Sequence, residues 1–159
     1  MALQKKIPTM LNVPMRPDAT NMVWMKIAKE YCNTYLQGGM NAGQGSTTLP
    51  GIAATLGMEC IEATAVATPV GMLTAVKLAK AFNNCLMTYM SVFQTSPPMT
   101  MPGFPGLIND FNLFMVAPEN NPLKFPKELG KALDTFTIAA VVMGVVPGTP
   151  PVPFAAPLT

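Results

Sequence analysis

The stretch Lys-Leu-Ala-Lys-Ala-Phe-Asn-Asn at residues 77–84 has near-copies 51 residues away on both sides. Upstream, residues 26–33 have the sequence Lys-Ile-Ala-Lys-Glu-Tyr-Cys-Asn, and downstream, residues 128–135 have the sequence Glu-Leu-Gly-Lys-Ala-Leu-Asp-Thr. Tyr31 and Phe82 stand at the same position of their octets. Apolar residues three and four apart line one face of a helix, so each octet predicts an amphipathic helix.

A second motif supports a tandem arrangement. Pro-Gly followed by a branched apolar residue occurs at residues 50–52 and again at residues 105–107, each time opening an apolar run. We therefore predict a mainly α fold, with two tandem units resembling helical hairpins and a third repeat helix. The alternative is chance, because helices with one apolar face draw on few residue types.

The predicted organisation has four segments. Residues 1–17 hold three prolines between apolar side chains, which favours an extended N-terminal arm. Helical unit 1 covers residues 18–67, and helical unit 2, which includes the third repeat helix, covers residues 68–146. Residues 147–159 contain five prolines and no charge, and they form the predicted extended C-terminal arm.

Within the units, apolar periodicity and proline or glycine boundaries predict five helices. They cover residues 18–36, a segment after Pro50, residues 69–93, residues 107–116 and a segment from Pro126 to about Met143. Residues 137–146 are rich in β-branched side chains, so a strand is the open alternative there. The glycine-rich residues 37–48 lack the spacing of a phosphate-binding loop and are interpreted as a connector.

The composition is poor in charge. Of 159 residues, 50% are hydrophobic and 11% are charged, whereas soluble domains usually have about 25% charged residues. The chain also contains 17 prolines and 14 methionines. Methionine fills irregular contacts, and too few ionic groups remain to solvate a free monomer. The composition therefore indicates a subunit that lies against neighbouring proteins.

Residues for catalysis or metal binding are scarce. The chain has no histidine, which excludes histidine ligands and nucleophile–histidine pairs. Cys32, Cys60 and Cys85 are too scattered for a metal motif and are predicted to be buried free thiols in a reducing compartment. We predict no catalytic residue, cofactor site or metal site, and hence a protein that is not an enzyme.

The candidate interface residues are bulky apolar side chains on the helices and in the C-terminal arm. They are Trp24, Tyr31, Phe82, Met90, Phe93, Val152, Phe154 and Leu158. Trp24 and Tyr31 beside two lysines could stack on bases, but aromatics on an apolar helix stripe usually belong to a core.

Two other classes of function stay open. A small membrane-associated protein would fit the hydropathy, although the apolar run at residues 138–146 is far shorter than the ~20 residues of a spanning helix. A nucleic-acid accessory domain would use the lysine pairs of the helices, but a net charge of +2 makes nucleic acid an unlikely default partner. Residues 1–8 lack the apolar core of a signal peptide.

Residues 50–52, the lysine-alanine helices and the run Val-Val-Pro-Gly-Thr-Pro-Pro-Val-Pro at residues 145–153 resemble the small structural proteins of tailed-phage virions. In those proteins short helical units alternate with segments rich in Pro, Gly and Thr. The resemblance implies a tail, baseplate or neck component that is assembled in the host cytoplasm and located in the virion. Its partners would be other structural proteins and copies of itself, and it supplies no site residue.

Overall fold

The computed structural model describes residues 21–36, 40–41, 44–45, 52–65, 71–116 and 124–158. This part of the chain is mainly helical and ends in an antiparallel β-hairpin. The predicted N-terminal arm, residues 1–17, lies outside the described residues. The helices are α1 (Asn21–Lys29), which continues as a π-helix (Glu30–Leu36), α2 (Ile52–Thr64), α3 (Gly71–Leu86), α4 (Phe104–Val116) and α5 (Lys124–Ile138). The strands are β1 (Met40–Asn41), β2 (Gln44–Gly45), β3 (Val141–Val146) and β4 (Val152–Pro157).

The three octets bury the same positions. In each one the second, third, fifth and sixth residues are buried, whereas the fourth and eighth are exposed. The exposed fourth position is lysine in all three, at Lys29, Lys80 and Lys131. The first octet therefore lies on α1 and its π-helical continuation, and the other two lie on α3 and α5, with equivalent positions toward the core.

Aromatic rings connect the helices in the core. Tyr31 stacks on Tyr35 at 5.8 Å and meets Phe82 edge-on at 5.3 Å between ring centroids. Phe82 stacks on Phe111 at 5.8 Å, and Phe111 meets Phe114 edge-on at 6.0 Å. These offset and edge-on geometries are the favourable ones for aromatic pairs. The chain of rings joins the π-helix to α3 and α3 to α4.

Two hydrogen bonds attach the π-helix to α5, about a hundred residues away in sequence. The Tyr31 and Thr137 hydroxyl oxygens lie 2.7 Å apart, and the Thr137 hydroxyl also donates to the Leu133 carbonyl at 2.7 Å. The Tyr35 hydroxyl donates to the Asp134 carboxylate. Buried polar groups need such partners, so these bonds fix the first and last described helices relative to each other.

Helix α3 is shorter than predicted. It ends at Leu86, and the prediction that it continues to Phe93 is wrong. Gln94 supplies the physical reason, because its side-chain amide donates to the Tyr89 and Ser96 carbonyls at 2.9 and 2.7 Å. Its amide oxygen accepts the Ser91 N–H at 3.0 Å. These bonds satisfy a non-helical backbone beyond Leu86.

Strand β3 resolves the open alternative at residues 137–146. Helix α5 ends at Ile138, and the β-branched run that follows forms β3, so the strand prediction is confirmed for Val141–Val146. Strand β4 comes from the predicted C-terminal arm and pairs antiparallel with β3, from Val141 opposite Pro157 to Val146 opposite Val152. A cis peptide bond precedes Pro150 in the connection.

The segment after α3 lies along the other side of β3. The Val145 N–H donates to the Phe93 carbonyl at 3.0 Å, and the Thr95 N–H donates to the Met143 carbonyl at 3.1 Å. Met99 and Val141 exchange two further backbone bonds of 2.8 and 3.0 Å. Strand β3 is therefore central, between this segment and β4.

Candidate interaction surfaces

Three of the predicted interface residues belong to the hydrophobic core of the chain. Trp24, Tyr31 and Phe82 are at most 1% exposed. Burial also raises the pKa of the Tyr31 hydroxyl well above its ordinary value, which keeps it a neutral hydrogen-bonding group. These three side chains are not available to another protein at the surface, because the helices of the same chain already cover them.

The other five candidates lie in or near the β3–β4 hairpin and divide between surface and core. Met90, Phe93 and Val152 are exposed, with Val152 the most exposed at 58%. Phe154 is half-buried and packs against the core cluster. Leu158 is buried, and its N–H donates to the Ala140 carbonyl at 3.3 Å. Leu158 therefore attaches the end of the hairpin to the hydrophobic core of the same chain.

The hairpin presents an outer face with no polar side chain. Directly opposed residues of an antiparallel pair share a face, so Val141, Met143 and Val145 lie on the same side as Pro157, Ala155 and Pro153. Met143 and Val145 are more than one third exposed. We call these six residues the hairpin face. Exposed Val92 and Phe93 belong to the neighbouring segment and extend the apolar surface.

Prolines block the free edge of β4. The N–H and the C=O of one residue in an antiparallel strand point to the same side of that strand. The N–H and C=O groups of Val141, Met143 and Val145 point away from β4. The backbone groups of their partners in β4, Pro157, Ala155 and Pro153, therefore point to the free edge of β4. Proline has no N–H, so Ala155 alone offers a donor along this edge of β4. A partner protein would meet the hairpin by its face, since the edge cannot form a continuous ladder.

Two grooves on the helical side are related by the 51-residue shift. The first, of about 310 Å³, lies between α2 and α3, and its walls include Glu59, Glu62, Lys77 and Lys80. The second, of about 510 Å³, lies between α4 and α5. Its wall residues are Asp110, Leu113, Phe114, Glu128, Lys131, Ala132 and Thr135. Each of these stands 51 positions after a wall residue of the first groove.

The charges of the two grooves differ. The first has its two carboxylates on α2 and its two lysines on α3, whereas the second has Leu113 in place of Glu62 and Glu128 in place of Lys77. Partial burial raises the pKa of Asp110, and nearby Lys131 opposes that rise. The first groove therefore has one acidic and one basic wall, and the second groove does not.

The three cysteines are buried free thiols. The pKa of Cys85 is raised by its hydrogen bond with Cys32 and by burial, and the pKa of Cys60 is raised by burial and by Glu59. Thiols of raised pKa are poor nucleophiles. In the part of the chain that is described, no three His, Cys, Asp or Glu side chains are grouped so as to hold a metal ion.

Comparison of the chain with protein-family models, with curated proteins and with solved structures gives no match. The interpretation of the surfaces therefore rests on their own residues. None of the described helices has the length and apolar composition to cross a membrane.

Sequence reasoning missed both grooves. Neither the carboxylates Glu59 and Glu62 nor the lysine pairs predict a groove by themselves, because charges on a helix usually form a solvated face. The signal was present, because Glu59 and Asp110 are 51 residues apart, like the lysines Lys80 and Lys131 that face them. The 51-residue shift of the lysine helices therefore extends to α2 and α4, the helices that form the other walls.

Proposed function

We propose that the protein is a non-enzymatic structural subunit of a large protein assembly, of the kind that forms the tail, baseplate or neck of a phage virion. The observation that carries this proposal is the hairpin face, which combines exposed Met143 and Val145 with three apolar residues of β4. Contiguous exposed apolar surface marks interaction sites. The sequence resemblance to small virion proteins supplies the type of assembly.

The hairpin face suits a permanent contact. Its strand β3 is held on both sides by backbone hydrogen bonds, so docking would order little additional backbone and would cost little entropy. Its methionine adapts to the shape of a neighbour. The prolines on the free edge of β4 favour docking by the face over growth of the sheet into a fibre.

The two tandem helical units form the scaffold in this proposal. The equal burial of the three octets and the 51-residue relation of the two grooves support an internal duplication. A duplicated scaffold presents similar surfaces to successive neighbours, which suits a subunit that contacts several proteins at once.

The test is the association of the purified full chain, measured by sedimentation velocity over a range of concentrations. We expect oligomers larger than a dimer, and we expect Met143→Lys with Val145→Lys to reduce them while the circular dichroism spectrum stays unchanged. Met22→Lys changes another exposed methionine, on α1, and is the matched control. A monodisperse monomer that melts cooperatively would contradict the proposal.

The same samples separate the two other classes of function. Partition of the chain into detergent micelles with loss of the oligomers would favour membrane association. Binding to nucleic acid that weakens steeply with salt would favour the accessory-domain alternative.

A further inference from the structure

The first groove has opposite charges on its two walls. Glu59 and Glu62 project from α2, and Lys77 and Lys80 project from α3. Within the described residues an ion pair joins Lys124 to Glu128, but these four side chains make none. The charges of this groove are therefore available to a second molecule.

The two walls run antiparallel. The beginning of α2, at Ile52 and Thr55, lies beside the end of α3, at Asn84 and Cys85. Farther along, Glu62 shares the groove with Lys77. The acidic wall and the basic wall consequently lie side by side at similar heights along the helix axes.

We propose that the outer face of α2 and α3 binds a second copy of this chain in a two-fold symmetric contact. A two-fold axis parallel to the helices places α2 of one copy over α3 of the other, and the reverse, as symmetry requires. Glu59 and Glu62 of each copy then face Lys77 and Lys80 of the other copy, so the charged contact is made twice. An axis perpendicular to the helices would place like charges opposite each other, so the charges select the first geometry.

Apolar side chains beside the charges supply the attraction. Leu73 and Val76 are exposed on α3 at spacings that put them on the same face as Lys80, and Met87 is exposed directly after the end of α3. Met58 is exposed on α2 one turn before Glu62. Burying such side chains is the main favourable term in association. The charged walls contribute mostly register and specificity.

The second groove provides an internal comparison. It lies at the equivalent place between α4 and α5, yet its walls carry Asp110 and Glu128 on opposite sides and Lys131 as their single cation. The equivalent two-fold contact there would place Asp110 opposite Lys131 but Glu128 opposite Leu113, so only one of its two facing positions would join opposite charges. The structure therefore assigns self-association to the first groove and not to the second.

This inference deepens the proposed assembly role and rests on it, because it names a copy of the chain as one neighbour. Charge reversal tests it on the full chain. In sedimentation equilibrium we expect Glu59→Lys with Glu62→Lys, or Lys77→Glu with Lys80→Glu, to raise the dimer dissociation constant by at least about tenfold. Mixing the two variants restores the dimer as a heterodimer, since every facing pair is again opposite in charge.

Single substitutions supply the matched control. Lys80→Glu weakens the dimer, whereas Lys131→Glu, at the equivalent position of the second groove, leaves it unchanged. Circular dichroism confirms folding in each case. Oligomers that persist after charge reversal would overturn this inference and leave the assembly role intact. A mixture of the two reversed variants that fails to form heterodimers would have the same meaning. If the chain forms the dimer but no larger oligomer, the assembly role is contradicted and the two-fold contact stands.

Discussion

Phe154 lies across the hairpin from Gly144, and its ring occupies the space that a side chain on Gly144 would need. A Cβ placed on Gly144 would come within 2.6 Å of the ring and would also overlap the Phe93 carbonyl. Because the Phe93 carbonyl belongs to the backbone, it cannot move aside without breaking its hydrogen bond from Val145. A glycine at position 144 thus lets three segments approach closely.

Gly144→Ala should therefore lower the free energy of unfolding by about 1 to 3 kcal/mol, the usual cost of forcing extra volume into a packed site. Urea unfolding of the full chain measures this loss of free energy. The control is Gly106→Ala in α4, where a Cβ meets nothing within 4 Å. There alanine should stabilise the helix by about 0.5 to 1 kcal/mol. Equal effects of the two substitutions would argue against the close packing at Gly144.

The helices could be predicted from the sequence because each octet has its own local periodicity, and the buried positions of all three follow it. The end of α3 could not be predicted, since Met90 and Phe93 continue the apolar spacing of the helix. The buried side chains of the next segment instead include Tyr89, Ser91 and Gln94. What ends the helix is the set of bonds made by Gln94, and no local pattern reveals them. The burial of Trp24, Tyr31 and Phe82 could not be predicted for a related reason. A large apolar side chain on a helix stripe suits a core as well as a contact, and tertiary packing decides between them.

Phe93 holds a backbone conformation that a bulky residue rarely adopts, with φ at 66°. Such a conformation costs about 1 to 3 kcal/mol in a residue other than glycine, yet the ring is 37% exposed. We expect Phe93→Asn to keep the free energy of unfolding within about 1 kcal/mol of the original, because asparagine tolerates positive φ and offsets the lost ring contacts. The larger oligomers should weaken, since an exposed aromatic next to the hairpin face is lost.

Phe93→Ala is the companion variant. It removes the same ring but keeps a side chain that does not favour positive φ, so it should be less stable than Phe93→Asn by about 1 kcal/mol. Thermal unfolding compares the two, and sedimentation velocity follows the oligomers. A large loss of stability in both variants would show that the ring supports the fold more than it supports contacts.

Asp110 gives a prediction about pH. Partial burial raises its pKa in the folded protein above the ordinary 3.8, despite Lys131 nearby. The ionised carboxylate is therefore less favourable in the folded state than in the unfolded state, and stability falls as the pH rises through the interval between the two pKa values. Asp110→Asn should raise the melting temperature at neutral pH.

The advantage of Asp110→Asn should disappear at a pH below 3.8, where the carboxyl is protonated in both states. The original chain, measured in parallel, is the reference for Asp110→Asn. Melting curves collected from pH 3 to pH 7 measure both. An advantage for Asp110→Asn that is larger in acid than at neutral pH would contradict the sign of the shift.

The C-terminal segment combines a structural and a contacting end, and two substitutions separate them. Leu158 is 1% exposed and closes the hairpin onto the helices, so Leu158→Ala should cost about 2 to 5 kcal/mol of stability, as truncation of a buried leucine does. Val152, at the other end of β4, is 58% exposed. Val152→Lys should leave the melting temperature within a few degrees of the original but weaken the oligomers.

Truncation after Gly144 removes Val152 and Leu158 together with the whole of β4, so it should destabilise the fold and not merely weaken contacts with neighbours. If the truncated chain kept its melting temperature, the pairing of β4 with β3 would be irrelevant to the fold, and residues 147–159 would serve contacts alone.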